Sequence, residues 1–113
     1  MHGKILLVLL LAASGPVMAD QPEVHQYVIE RTIPGASEMS ADELKEISRK
    51  SREVLETLGP TIQWSHSYVA EDKFYCVYTS PNKELVQKHA DLGGFPADRI
   101  SLVSTVIDPE TAE

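Results

Sequence analysis

The order of strand-type and helix-type segments constrains this fold more than any other feature, because turn residues separate the segments cleanly. The segment from His25 to Ile33 is rich in β-branched and aromatic residues, which is typical of a strand. Pro34-Gly35 ends it, and the capping box Ser40-Ala41-Asp42-Glu43 begins a helix that Gly59-Pro60 terminates. The inner stripe of that helix has helical spacing and consists of Leu44, Ile47, Ser51, Val54, Leu55 and Leu58.

The second half of the chain continues this alternation. A strand over residues 61–69 (TIQWSHSYV) and a strand over residues 74–80 (FYCVYTS) flank a charged turn, which predicts a hairpin. A second helix follows, capped by Ser80 or Asn82, and a glycine pair ends it. We expect a last strand from Arg99 to Ile107.

The order β-α-β-β-α-β predicts an α+β fold of the ferredoxin-like kind, a βαββαβ sandwich. Because parallel crossovers are right-handed, both helices should pack on one face of a four-stranded antiparallel sheet. The other face is then uncovered, yet the second and third strands carry apolar or aromatic residues on both of their faces. We therefore expect a homodimer whose sheets face each other, a dimeric α+β barrel.

The first 19 residues have the pattern of a secretory signal peptide. Lys4 precedes an apolar run from Ile5 to Ala13, and Val17-Met18-Ala19 fits a cleavage site. The run is too short to span a bilayer, which takes about 20 helical residues, so an uncleaved membrane anchor is the less favoured alternative. We expect residues 1–19 to be removed and residues 20–113 to form a single domain. The product should be exported, periplasmic or extracellular, with no stable membrane anchor.

The charge balance argues against one class of partner. The chain has 10 basic and 17 acidic residues, and loss of Lys4 would change its net charge from −7 to −8. An acidic domain of this kind is not expected to bind nucleic acid. Cys76 is the only cysteine, so it forms no internal disulfide. A buried thiol, an intermolecular bridge, a metal ligand and a reactive thiol remain open.

The register of the hairpin decides which side chains share a face. A two-residue turn at Glu71-Asp72 pairs Ser67 with Cys76, whereas a three-residue turn pairs Tyr68 with Cys76. We favour the three-residue turn, because it brings the apolar sets of both strands onto one surface. That surface comprises Trp64, His66, Tyr68, Phe74, Cys76 and Tyr78.

Several side chains near this surface are of types that bind metals. Imidazole suits zinc, copper and nickel, thiolate suits softer ions, and carboxylate completes mixed sites. The second helix should direct His89 inward, because it lies four residues after Leu85 and three after Val86. The candidate metal ligands are His66, Cys76, His89 and Glu30, and the hydroxyls of Tyr68 and Tyr78 are candidate partners for a buried imidazole or a cofactor.

Motifs of common catalytic sites are missing from the sequence. It contains no GxSxG, HExxH, phosphate-binding glycine loop or paired zinc-type cysteines. A Cys-His nucleophile pair lacks a third group to orient it. An enzyme is therefore the less favoured interpretation.

Three segments resemble those of a bacterial family first catalogued as a domain of unknown function: YVIERTIPG, IQWSHSYVAEDKFYCVYTSPNKE and HADLGGFPADRIS. The resemblance extends over residues 24–113. It implies small dimeric ferredoxin-like proteins, with at least one nickel-binding member. The signal peptide departs from that family pattern. Matching positions carry Glu30, His66, Tyr68, Cys76 and His89, which the resemblance marks as candidates.

Together these features predict an exported dimeric protein that binds a divalent transition metal, with nickel favoured. Its role would be binding or sequestration rather than catalysis. One alternative is a small dimeric α+β barrel enzyme that uses His66 or His89 as an acid or base. Another is a module that binds a small apolar ligand in the pocket between the sheet and the helices.

Overall fold

The computed structural model describes residues 23–113, so the predicted signal peptide lies outside the described residues. No helix within that range is long and apolar enough to cross a membrane. The elements are β1 (His25–Thr32), α1 (Ala41–Leu58), β2 (Gln63–Ala70), β3 (Lys73–Ser80), α2 (Lys83–Gly93) and β4 (Arg99–Leu102), with short 3-10 helices at Ala36–Glu38 and Pro109–Ala112.

The four strands form one antiparallel sheet in the order β2-β3-β1-β4. On one face of this sheet, Ile29 and Tyr78 are buried in a core that includes Leu55 of α1 and Val86 of α2. Both helices therefore pack on this side, which is called the helix face. The prediction of an α+β, ferredoxin-like βαββαβ fold is confirmed.

Local sequence signals set the ends of both helices. The Ser40 hydroxyl accepts a hydrogen bond from the Glu43 backbone N–H at 3.1 Å, and the Glu43 carboxylate accepts one from the Ser40 N–H at 2.8 Å. At the start of α2, Asn82 rather than Ser80 is the cap, since its Oδ1 accepts from the Leu85 N–H at 2.8 Å. The buried Ser80 hydroxyl instead donates to the Asn82 carbonyl oxygen at 2.8 Å. The capping predictions are confirmed.

The last strand is shorter than predicted. β4 ends at Leu102 rather than at Ile107. Leu102 pairs with Tyr27, and only two residues of β1 precede Tyr27. Few residues of β1 therefore remain to pair with a longer β4. Ile107 consequently lies outside the sheet and is exposed.

The favoured register of the hairpin was wrong. Ser67 pairs with Cys76 and Tyr68 pairs with Tyr75 across a two-residue turn at Glu71-Asp72. A β-bulge lies between Trp64 and the next paired residue of β2 and reverses the alternation along the strand. Trp64 and Ser67 can thus both face the helices although they are three residues apart, whereas regular alternation would place them on opposite faces. The residues on the helix face are Trp64, Ser67, Val69, Phe74, Cys76 and Tyr78.

Backbone hydrogen bonds hold the hairpin turn in this register. The Ile33 N–H donates to the Asp72 carbonyl oxygen at 2.7 Å, and the Ser37 N–H donates to the Glu71 carbonyl oxygen at 2.8 Å. The Asp72 carboxylate also accepts from the Gly35 N–H at 3.0 Å. The loop after β1 thereby fixes the turn between β2 and β3.

Candidate functional site

A buried polar cluster lies between the sheet and the helices. Its centre is Ser51 of α1, whose hydroxyl oxygen lies 3.2 Å from His89 Nε2 and 3.4 Å from the Tyr78 hydroxyl oxygen. His89 Nε2 is also 3.4 Å from the Ser51 carbonyl oxygen, which favours the tautomer that carries its proton on Nε2. His89 is fully buried and points inward from α2, as predicted.

Arg31 is a buried cation in the same region. β1 directs it toward the helix face, two residues after the buried Ile29. Its Nη1 donates to the Pro96 carbonyl oxygen at 2.6 Å, and its Nε donates to Cys76 Sγ at 3.4 Å. The guanidinium carbon lies 5.3 Å from the centre of the Phe95 ring. Within residues 23–113, Nη2 has no hydrogen-bond partner and no carboxylate pairs with this guanidinium.

Burial shifts the pKa values of two members of the cluster in the direction that favours their uncharged forms. It lowers the pKa of His89 from 6.5 to about 4, and the positive charge of Arg31 adds to this effect. The hydrogen bond to the Ser51 backbone opposes it. Burial also raises the pKa of Tyr78 above its usual value, although the hydrogen bond with Ser51 and the charge of Arg31 act against the shift.

A cavity of about 180 Å³ adjoins this cluster. Its polar lining comes from Arg31, Ser51, Cys76 and Tyr78, together with two further serines. It reaches the edge strand β2, where Val69 is 39% exposed. Apolar walls with a few convergent polar groups are the usual form of a small-ligand site. The apolar lining consists of Ile33, Leu44, Ile47, Trp64, Val69, Phe74 and Phe95.

The opposite side of the sheet, called the open face, carries a second set of polar and aromatic groups. His66 and Tyr68 of β2 are exposed there and meet edge to face, with ring centres 4.9 Å apart. On β1, Glu30 is half-buried and lies 3.5 Å from Lys73 Nζ. Tyr75 of β3 pairs with both Tyr68 and Glu30 in the sheet, so these residues share the open face.

The structure divides the predicted site between the two faces. Cys76, Tyr78 and His89 lie on the helix face, whereas His66 and Tyr68 lie on the open face. The prediction that His66 and Cys76 form one polar cluster was therefore wrong. The physical reason is the bulge in β2, which turns His66 away from the face that Trp64 occupies.

The donor chemistry fits a transition metal only in part. His66 and Glu30 supply a nitrogen and an oxygen donor on the open face, and Cys76 and His89 supply a sulfur and a nitrogen donor on the helix face. Across residues 23–113 no three His, Cys, Asp or Glu side chains come together to hold an ion. Coordination of an ion by three or more such side chains would therefore need donors from outside the described residues of one chain.

Sequence reasoning missed Arg31, which donates a hydrogen bond to Cys76 and lines the cavity. A signal for it was present, because Tyr27, Ile29 and Arg31 alternate along one face of β1. A charged residue in line with two core residues indicates a buried cation. Phe95 follows the helix-ending glycines and lies outside the predicted helices and strands, so no pattern predicted its contact with Arg31.

Comparisons with known proteins agree with this fold. Residues 27–103, more than half of the chain, match a family model described as "Nickel responsive protein SCO4226-like". No curated protein matches. The crystal structure of SCO4226 from Streptomyces coelicolor A3(2) superposes with a TM-score of 0.62 at 19% identity. That similarity covers 73% of this chain and 99% of the other, and at this identity it supports the fold alone.

Proposed function

Because the chain belongs to the nickel responsive SCO4226-like family, we propose that it binds nickel or another divalent transition metal. The proposed role is binding or sequestration of the ion rather than catalysis. The observation that carries the proposal is the family match, which includes the predicted metal donors of β1, β2, β3 and α2.

We place the ion on the open face, with His66 and Glu30 as protein donors. His66 is exposed there, and its imidazole needs no rearrangement of the core to reach an ion. On the helix face, Arg31 donates to Cys76 and its charge also acts on His89. A buried positive charge beside these two donors opposes the entry of a divalent cation.

We further propose that two copies pair through their open faces. Tyr68 is 61% exposed and lies beside His66, so pairing would cover aromatic surface next to a metal donor. A transition metal takes about four or more ligands, and one open face offers fewer. A twofold arrangement brings each donor twice, which adds to the few donors that the described residues of one chain bring together.

Nickel titration of tag-free protein by calorimetry tests the assignment of donors. His66→Ala and Glu30→Gln are each expected to weaken nickel binding at least tenfold. His25→Ala, which removes an exposed imidazole on β1, is the matched control and should leave the affinity within twofold of the parent. Cys76→Ser should also leave it within twofold. Loss of binding in Cys76→Ser, with full binding in His66→Ala, would move the ion to the helix face.

Export is a separate part of the proposal. The motivation is the pattern of residues 1–19, which is that of a cleaved signal peptide. N-terminal sequencing of protein recovered from outside the cytoplasm should begin at Asp20. A chain that begins at Met1 in that fraction contradicts the prediction.

A further inference from the structure

The guanidinium of Arg31 has an unused edge beside the apolar cavity. In a guanidinium, the Nε–H and the Nη2–H groups point to the same side. Nε donates to Cys76 Sγ, and Cys76 and Arg31 both line the cavity. Nη2 therefore lies on the same side of the group as the cavity-lining Cys76, and it is buried without a hydrogen-bond partner among residues 23–113.

The protein leaves this cation poorly compensated. Its acceptors are a neutral carbonyl oxygen, of Pro96, and the sulfur of Cys76, and sulfur is a weak acceptor. Arg31 is only 3% exposed, so water offers little further stabilisation. Burying a charge without a counterion is costly, and an anion in the cavity would remove much of that cost.

We propose that the cavity binds a small organic acid with an apolar chain. The carboxylate accepts hydrogen bonds from Arg31 Nη2 and from the Tyr78 hydroxyl, and the chain packs between Ile47 of α1 and Trp64 of β2. Hydrogen bonds between charged partners are the stronger kind, so the guanidinium provides specificity while the apolar walls provide contact area.

The charge inside the cavity matches a monoanion. Arg31 is the one charged side chain in the described lining. The neighbouring His89 is neutral at pH 7, because its pKa is about 4. A single cation balances a carboxylate, whereas the dianion of a phosphate monoester would bring an unbalanced charge into a buried site. A carboxylate is therefore favoured over a phosphate.

This site does not depend on the proposed metal. Arg31 lies on the helix face, whereas Glu30 and His66 lie on the open face of the same sheet. The acid is thus expected to bind equally well in the presence of EDTA and of nickel. Binding that requires nickel would make the carboxylate a metal ligand and would overturn the proposal.

Trp64 provides a direct readout, because it is the only tryptophan and it lines the cavity. Octanoate should change its fluorescence in a saturable way, and octanol should bind at least tenfold more weakly than octanoate. Octyl phosphate should also bind more weakly than octanoate, and acetate should not saturate because it lacks the apolar chain. Equal binding of octanoate and octanol by the parent protein would overturn the proposal without any variant.

Substitutions then locate the site. Arg31→Met should weaken octanoate binding at least tenfold while octanol binding stays within twofold. Arg52→Met, which removes an exposed arginine of α1, is the matched control and should bind octanoate as the parent does.

Ser48→Leu tests the cavity itself. Leucine is a good helix former, so α1 should persist, and its larger side chain would fill part of the cavity. This variant should weaken the binding of octanoate and of octanol together. Unchanged octanoate binding in a folded Arg31→Met or Ser48→Leu variant places the acid elsewhere. If Arg31→Met fails to fold, Ser48→Leu and the comparison of octanoate with octanol decide.

Discussion

Ser51 shows how one small side chain can satisfy several buried groups at once. It faces inward because it belongs to the apolar stripe of α1, and its hydroxyl reaches both His89 and Tyr78. A larger residue would occupy the space that these two rings need. The serine therefore couples α1, α2 and β3 through one hydroxyl group.

His89 makes the stability of the fold depend on pH. Its pKa is about 4 in the folded protein and about 6.5 in the unfolded chain, so the unfolded chain binds the proton more tightly. Stability from this residue is fully present above pH 6.5 and is lost progressively as the pH falls toward 4. We expect the urea midpoint of the parent to fall across this window, and His89→Gln to remove the part of the slope that belongs to the imidazole.

The control for that experiment is His25→Gln, because His25 is exposed on β1. It should keep the slope of the parent between pH 4 and 6.5. Carboxylates also make the stability depend on pH. For example, hydrogen bonds with Thr32 lower the pKa of Asp98. These carboxylates are present in the parent and in both variants, so they contribute equally to all three slopes. The slope of His89→Gln relative to the parent therefore isolates the histidine. If His89→Gln keeps the slope of the parent, the His89 imidazole stays hydrated and burial does not lower its pKa.

At the scale of elements, one residue of the hairpin turn, Glu71, has a backbone conformation that is unfavourable for any residue other than glycine. Glu71 has a φ of 51°, in the left-handed region that costs a non-glycine residue about 1 kcal/mol. Its carbonyl accepts the Ser37 N–H, which keeps the turn in place. Glu71→Gly is expected to raise the free energy of unfolding by about 0.5–1 kcal/mol, measured by urea titration.

Glu56→Gly on the exposed side of α1 is the matched control for the glycine substitution. There the backbone is helical, so glycine should lower the free energy of unfolding by about 1 kcal/mol. A loss of stability in both variants would mean that Glu71 is not strained. Opposite signs would assign the gain to the left-handed conformation.

The elements were predictable from sequence, whereas their faces were predictable only in part. Capping residues and glycine ends determine both helices locally, so Ser40 and Gly59 were sufficient to define α1. The orientation of His66 depends on a bulge, which adds one residue to β2 and leaves no mark in the alternation. The turn register is held by hydrogen bonds to the loop after β1, which is distant from the turn in sequence.

The same limit applies to the candidate site. His89 and Tyr78 were correctly placed, because helical spacing and a regular strand determine them. Arg31 was visible in the alternation of β1, but its importance comes from a cavity that α1, the sheet and Phe95 form together. A cavity depends on how elements pack, so periodicity within one element does not predict it.

At the scale of the whole molecule, the open face is where a second copy is expected to pack. Tyr68 projects from it, and a carboxylate at this position would be buried without a counterion when two open faces pack together. Light scattering at micromolar concentration should give the parent about twice the mass of one chain, and Tyr68→Glu about one. Because Tyr68 is exposed in the single chain, this variant should still fold with an unchanged circular dichroism spectrum.

The control is Lys50→Glu, which makes an acidic substitution on the exposed side of α1 and should remain a dimer. A dimeric Tyr68→Glu would show that the copies do not pair through this face, and a monomeric parent would show that they do not pair at all.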